Sequence, residues 1–436
     1  MRAFYGCEVT YPFVPQDVLD SVDSVRASLP NKYCDPKIAA DLYHETLDEY
    51  LVADDVGLNV MATEHHAGIN SLLGSNATFV GMIARQTRKA RILSLGTLIS
   101  LRKDPVRIAE EYAMIDVVSR GRLEIGPVKS GGSEMASNNG NPMQNEDRMW
   151  EGIDLISKAL THREGPFSWE GKHFTHRHVN IWPGPYQQPM PRLWAATGDP
   201  RSTAECGRRG IINTLVLRGP EGTRKAWESY KQARREAGLP PATRDMFAYA
   251  AMVYVGDTDE EGMRIGSKIL WFLNTSLKTA PQMSRFLPGT APPEAAPQIY
   301  RNKPRPAETG SNATKSASQN AAALMSITAE QAVAQGILFA GNPDTVYRQI
   351  IDFQREAGDF GHLNIISSGF LTHKEAVRGI EMFAREVLPC FEESRSTAAS
   401  NNLRRRAPIR RGCSRLDAGR TRNFPGHRPG IREARA

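Results

Sequence analysis

The stretch Ala90-Arg91-Ile92-Leu93-Ser94-Leu95-Gly96-Thr97, then Pro105–Val118, then Arg122-Leu123-Glu124-Ile125-Gly126, decides the fold. Its outer segments are short, apolar and rich in β-formers, and each is bounded by turn residues. The middle segment has the length and apolar spacing of a helix, with Asp104 and Pro105 where a helix would start. Strand, helix and strand in that order form a βαβ unit, because two parallel strands need a crossover between them.

The same rhythm continues in both directions. Strands are expected at Arg2–Val9, Leu58–Ala62, Ala90–Thr97, Arg122–Gly126, Arg192–Ala196, Ile211–Val216, Phe247–Val255 and Leu363–Ser367. Helices fall between them, and another near Pro343–Ala357 precedes the last strand. Eight strands separated by helices are the count of an α/β (β/α)8 TIM barrel, with the surplus length as insertions. An open doubly wound sheet is the alternative, but no G-x-G-x-x-G follows the first strand.

Composition fits this picture. Of 436 residues, 40% are hydrophobic and 24% charged, which excludes a collagen-like, coiled-coil or largely disordered chain. No run approaches the roughly 20 apolar residues of a membrane span, and the first residues lack a signal peptide's apolar core. A soluble, cytoplasmic protein is therefore expected. The net charge of +7 is unevenly placed: residues 401–436 hold eleven Arg, no Lys, and only Asp417 and Glu433 as acids. The main body is slightly acidic. The tail has too little apolar surface to offset its ordering entropy and is expected to be disordered. It reads either as an Arg-rich arm for nucleic acid or as a solvated extension, and the second is preferred. The expected division is thus a catalytic domain, 1–392, and an Arg-rich tail, 393–436. Cys7, Cys34, Cys206, Cys390 and Cys413 are widely spaced, without a C-x-x-C pair, which suits a reducing compartment.

Two insertions interrupt the barrel pattern. Residues 165–191 read as a hairpin excursion, and residues 274–330, rich in Ala, Pro, Ser, Thr and Asn, read as a mobile lid or a passive insertion.

Barrel chemistry sits where strands end. Glu64-His65-His66 closes the second strand, and an imidazole beside a carboxylate there can move protons near neutral pH. A structural histidine pair is the competing reading. Lys129-Ser130-Gly131-Gly132 follows the fourth strand and Thr197-Gly198-Asp199-Pro200-Arg201-Ser202-Thr203 the fifth. Such turns offer N–H groups, hydroxyls and a cation to a phosphate, although either could be an ordinary capped turn. His173, His176 and His178 resemble metal ligands on paper, but they lie in the expected hairpin, and no metal is expected.

The order of several segments resembles the bacterial luciferase-like flavin monooxygenase family. They are Thr63-Glu64-His65-His66, Leu93–Thr97, Asp104–Glu111, Asp116–Gly126, Pro166–Lys172, Trp182–Pro189, Arg208-Arg209-Gly210 and Phe339–Asp344. The resemblance implies an enzyme using O2 and reduced FMN delivered by a separate flavin reductase, acting on a small, mostly apolar substrate, and usually dimeric. It implies acid/base work for His65, oriented by Glu64 or His66. Thr97 would lie beside the flavin ring, and Lys129, Ser130, Gly198, Asp199, Ser202 and Thr203 would surround its phosphate. Two departures stand out. The family often has Gly-x-Gly-Arg-Gly after the fourth strand where this chain has Gly126-Pro127-Val128-Lys129-Ser130-Gly131, and lysine loses arginine's bidentate fork. Gly198-Asp199 also brings a carboxylate to a phosphate turn, so Asp199 is expected to contribute only its backbone N–H. The rival readings are an F420-dependent hydride-transfer enzyme on the same barrel and a non-catalytic partner subunit of a luciferase-like pair.

Overall fold

The computed structural model describes residues 1–278, 324–367 and 370–391. Most of the expected lid and the expected Arg-rich tail lie outside these residues.

Eight parallel strands form the barrel: β1 (Arg2–Cys7), β2 (Asn59–Ala62), β3 (Ile92–Leu98), β4 (Leu123–Val128), β7 (Trp194–Ala196), β8 (Ile212–Val216), β9 (Phe247–Val255) and β11 (His362–Ser367). Their order around the sheet is β4-β3-β2-β1-β11-β9-β8-β7. A parallel bridge between Ile125 and Leu193 brings β4 to the start of β7, with the Ile125 N–H donating to the Arg192 carbonyl at 3.0 Å. These are the eight strands expected from the sequence. One further strand, β10 (Leu338–Gly341), was not expected. It pairs with β9 from Met252 onward, where β8 has already ended opposite Ala250. The insertion after α6 (Asn145–Thr161) does contain an antiparallel hairpin, β5 (Phe167–Glu170) and β6 (Thr175–Val179).

Helices cover the barrel because their caps and apolar faces direct them there. In α4 (Pro105–Val118), the Asp104 side chain accepts from the Val106 and Arg107 N–H groups, and Pro105 occupies the first turn. Asp35 caps α2 (Pro36–Asp55) in the same way. A large apolar core lies between barrel and helices, and a smaller one fills the lumen with Phe4, Met61, Leu93, Leu95, Trp194, Ile212 and Ala248. The lumen is therefore packed, and ligands have access only at its ends.

The N-terminal end of the barrel is closed by charge. Glu124, fully buried, receives Arg192 at 2.6 Å and the Trp194 indole N–H at 2.5 Å, with Arg91 also in contact and Arg2 at 3.4 Å. Beside it, buried His362 packs against Trp194 with ring centroids 4.8 Å apart.

Candidate active site

At the opposite end, four strand ends bring their polar residues together. Glu8 follows β1, Thr63 to His66 follow β2, Lys129 to Gly131 follow β4, and Thr197 to Asp199 follow β7. His65 is clamped between two carboxylates: its Nδ1 lies 2.6 Å from Glu134 Oε1 and its Nε2 3.6 Å from Glu8 Oε2. Thr63 Oγ1 donates to that same Glu8 oxygen at 2.6 Å. Glu134 sits in the first turn of α5 (Gly132–Ser137), and its second oxygen accepts from the Gly131 N–H at 3.1 Å. The carboxylate that holds the imidazole therefore also holds the Lys129-Ser130-Gly131 turn.

Burial favours the neutral imidazole, but Glu8 and Glu134 outweigh it against the opposing Arg26, and the His65 pKa is raised. Burial likewise favours the neutral acid at Glu134, yet the hydrogen bond and charge of His65 keep its pKa below the usual value. The result is a proton held at Nδ1 by a strong acceptor, while Nε2 is beyond hydrogen-bond distance of Glu8.

The sequence assigned the orienting role to Glu64 or His66, and the geometry differs. Glu64 accepts from Arg102 Nη2 at 2.9 and 3.1 Å and lies 3.2 Å from His66 Nε2. It is therefore engaged on the other side of the β2 turn, and Glu134, sixty-nine positions from His65 along the chain, does the orienting. Thr97 also differs. A register shift between Leu95 and Thr97 places Thr97 opposite Pro127, on the outer face, where the Tyr112 hydroxyl of α4 approaches it. Leu95 belongs to the lumen cluster instead. Thr97 thus presents no side chain to the mouth.

A cavity of about 520 Å³ opens beside this cluster. Tyr11, Leu29, Tyr33 and Leu72 give it apolar walls, and His65 and His66 form one side. The Lys129 turn does not line it, so His65 stands between the cavity and that turn.

The expected phosphate residues do converge. Lys129 Nζ donates to Asp199 Oδ2 at 2.9 Å and to Ser202 Oγ at 3.2 Å. Asp199 is the N-cap of α7 (Pro200–Arg209), its Oδ1 accepting from the Ser202 N–H at 2.9 Å. Its carboxylate, and not only its backbone, is engaged here, filling the helix start. Ser202 and Thr203 are fully buried, and Ser202 Oγ donates to Glu146 at 3.1 Å. Ser130 is tied to Ser100, 3.1 Å between hydroxyls. The Gly198 carbonyl accepts from Arg218 at 2.6 Å. In the hairpin, His173 lies 3.9 Å from Asp147 and His176 3.8 Å from Asp104. Among the described residues, no group of His, Cys, Asp and Glu is arranged to hold a metal.

The pattern defining the luciferase-like monooxygenases matches residues 30–359. The chain belongs to the luciferase-like monooxygenase family. Among curated relatives, the oxygenase component of flavin-dependent trigonelline monooxygenase from Acinetobacter baylyi is 25% identical over 253 residues, covering 55% of this chain and 67% of that protein. Limonene 1,2-monooxygenase from Rhodococcus erythropolis is 22% identical over 333 residues, covering 75% and 76%. Among solved structures, the FMN complex of the oxygenating constituent of 3,6-diketocamphane monooxygenase from Pseudomonas putida superposes with a TM-score of 0.61 at 18% identity, covering 80% of this chain and 93% of that one. An F420-dependent secondary alcohol dehydrogenase shares the fold at a TM-score of 0.59 and 16% identity, covering 79% and 94%.

Glu8 and Glu134 are the site residues that sequence reasoning missed. Each left a weak signal. Glu8 falls near the end of the expected first strand, and Glu134 sits three residues after Gly131, the spacing of a capping box.

Proposed function

We propose that this luciferase-like monooxygenase is the oxygenase component of a two-component system. It takes reduced FMN from a separate flavin reductase and uses O2 to oxygenate a small, mostly apolar organic molecule. The observation that carries this reading is His65, held between Glu8 and Glu134 at the barrel mouth, with the apolar cavity on one side and the Lys129 turn on the other.

The residues fit a flavin mononucleotide at its anionic end. The cradle of Lys129 Nζ and the Ser202 N–H already holds a pair of anionic oxygens, those of Asp199, at 2.9 Å each. Lys129, Ser202 and the start of α7 would hold the phosphate, and the apolar lumen residues Leu95 and Val128 would underlie the ring. Reduced flavin, when bound, supplies the electrons that activate O2. The chain's own part is to keep the mouth dry, to hold substrate in the cavity, and to keep a proton on His65 for the developing negative oxygen. Glu134 fixes the ring orientation, so that Nε2 faces the reacting groups.

We further place the protein in the cytoplasm, where its reductase would work, as a homodimer. Met114, Val117 and Val118 on α4 and Met82 on α3 (Asn76–Gln86) are large apolar side chains left exposed, which suits a face that meets a second copy. The catalytic unit is taken as residues 1–392 and the Arg-rich tail as residues 393–436.

The test is His65→Ala. The variant should bind FMN about as well as the parent, while reduced-flavin oxidation loses its coupling to product. Unchanged coupling would remove His65 from the mechanism. Anaerobic titration with reduced FMN and with reduced F420 separates this reading from hydride transfer.

A further inference from the structure

We propose that Asp199 competes with the cofactor's terminal phosphate for Lys129, and so sets how tightly this chain holds FMN. The inference rests on the flavin reading above and names a determinant of that site's cofactor affinity.

The donors of the cradle are engaged within the protein. Lys129 Nζ is shared between Asp199 Oδ2 and Ser202 Oγ, and the Ser202 N–H serves Asp199 Oδ1. Ser202 Oγ donates to Glu146, and Thr203 Oγ1 donates to the Thr197 carbonyl at 3.4 Å. The Lys129 ammonium is thus paired with the Asp199 carboxylate, and Glu146 sits one hydroxyl further on through Ser202, so a dianionic phosphate placed there meets a cation already neutralised. The members differ in freedom. Ser202 and Thr203 are fully buried, whereas the side chains of Asp199 and Lys129 are 42% and 30% exposed. Asp199 can therefore swing into solvent while the hydroxyls stay fixed.

Burial opposes ionisation of Asp199, but the hydrogen bonds from Ser202 and Lys129 prevail and its pKa is lowered, so it is an anion at neutral pH. A phosphate must displace that anion and take over its two partners. Arg218, which donates to the Gly198 carbonyl, stands beside the same turn as a second cation. A cofactor that arrives reduced and leaves oxidised at each turnover has to exchange with solution, and an internal competitor keeps that exchange open.

Fluorescence titration of the full-length protein with FMN and with riboflavin, which lacks the phosphate, tests the proposal. Asp199→Asn keeps a good helix cap but removes the charge. It should tighten FMN by about tenfold and leave riboflavin within about twofold. Asp199→Ser, another capping residue, should act in the same direction and guards against a folding defect in the first variant. Lys129→Met should bring FMN down to the affinity of riboflavin. If Asp199→Asn weakens FMN, or moves both flavins by one factor, Asp199 positions Lys129 and does not compete. If the parent and both variants bind neither flavin, the flavin reading itself falls and takes this inference with it.

Discussion

His65 is basic because of residues that come from elsewhere in the chain. Glu134 reaches it from the helix after β4 and Glu8 from the end of β1, and together they overcome the burial that would strip its proton. Glu134→Gln keeps the shape of that contact and removes the charge. The His65 pKa should fall, so the protonated form is lost at a lower pH. The basic limb of the pH–kcat profile should move down by about one unit. An unshifted profile would show that Glu134 serves only the Gly131 turn. The contrast between His65 and its partners also marks what the sequence could tell. The histidine stood at a strand end, a position that barrel geometry makes informative. Its partner lay sixty-nine residues away on a short helix, and no local pattern reports so distant a pairing. Thr97 shows a second kind of blindness. The family resemblance put it beside the flavin ring, and a register shift after Leu95 turns it outward.

Among the elements, β3 and β4 illustrate how a strand pair shapes the mouth. A Cβ on Gly96 would stand 2.5 Å from the Gly126 carbonyl and 2.6 Å from Val128, so the register shift there requires glycine. Gly96→Ala forces the two strands apart and should cost about 2 kcal/mol or more in urea unfolding. An unchanged midpoint would mean that the strands yield without strain. The long regular elements were readable because period, cap and turn agreed: Asp104-Pro105 opens α4 and Asn342-Pro343 opens α12 (Pro343–Ala357) as their residue types predict. β10 was not. Its four residues, Leu338 to Gly341, fall outside the eight-strand rhythm, and they pair where β9 extends beyond β8. The hairpin of the insertion was readable as an excursion from the barrel rhythm, since its turn residues fall between α6 and the next barrel strand.

At the scale of the whole molecule, the two ends of the barrel divide the work. The closed end is a stability device with a pH signature. His362 is fully buried, and burial with the nearby Arg2 lowers its pKa to about 4. Folded His362 thus stays neutral between about pH 6.5 and pH 4, while the unfolded ring takes a proton over that window. The shift favours the unfolded state as pH falls, so stability present above about 6.5 is lost by up to ~3 kcal/mol towards pH 4. His362→Gln should narrow the gap in urea stability between pH 7 and pH 5, and an equal gap in the variant would place the acid sensitivity elsewhere. Glu124→Gln leaves Arg91 and Arg192 facing a neutral amide at the same end, and should destabilise by about 3 kcal/mol. The open end carries the proposed site. The net charge of +7, taken alone, suggests acidic partners for the whole protein, but its excess lies in the tail, and the described barrel must be judged on its mouth. There the direct measurement is product analysis by mass under 18O2, with reduced FMN generated by a separate reductase and a panel of terpenes, ketones and aldehydes as substrates. The account predicts one labelled oxygen atom in the product for each coupled turnover, with the label abolished in His65→Ala. Unlabelled product formed with reduced F420 and indifferent to O2 would contradict it.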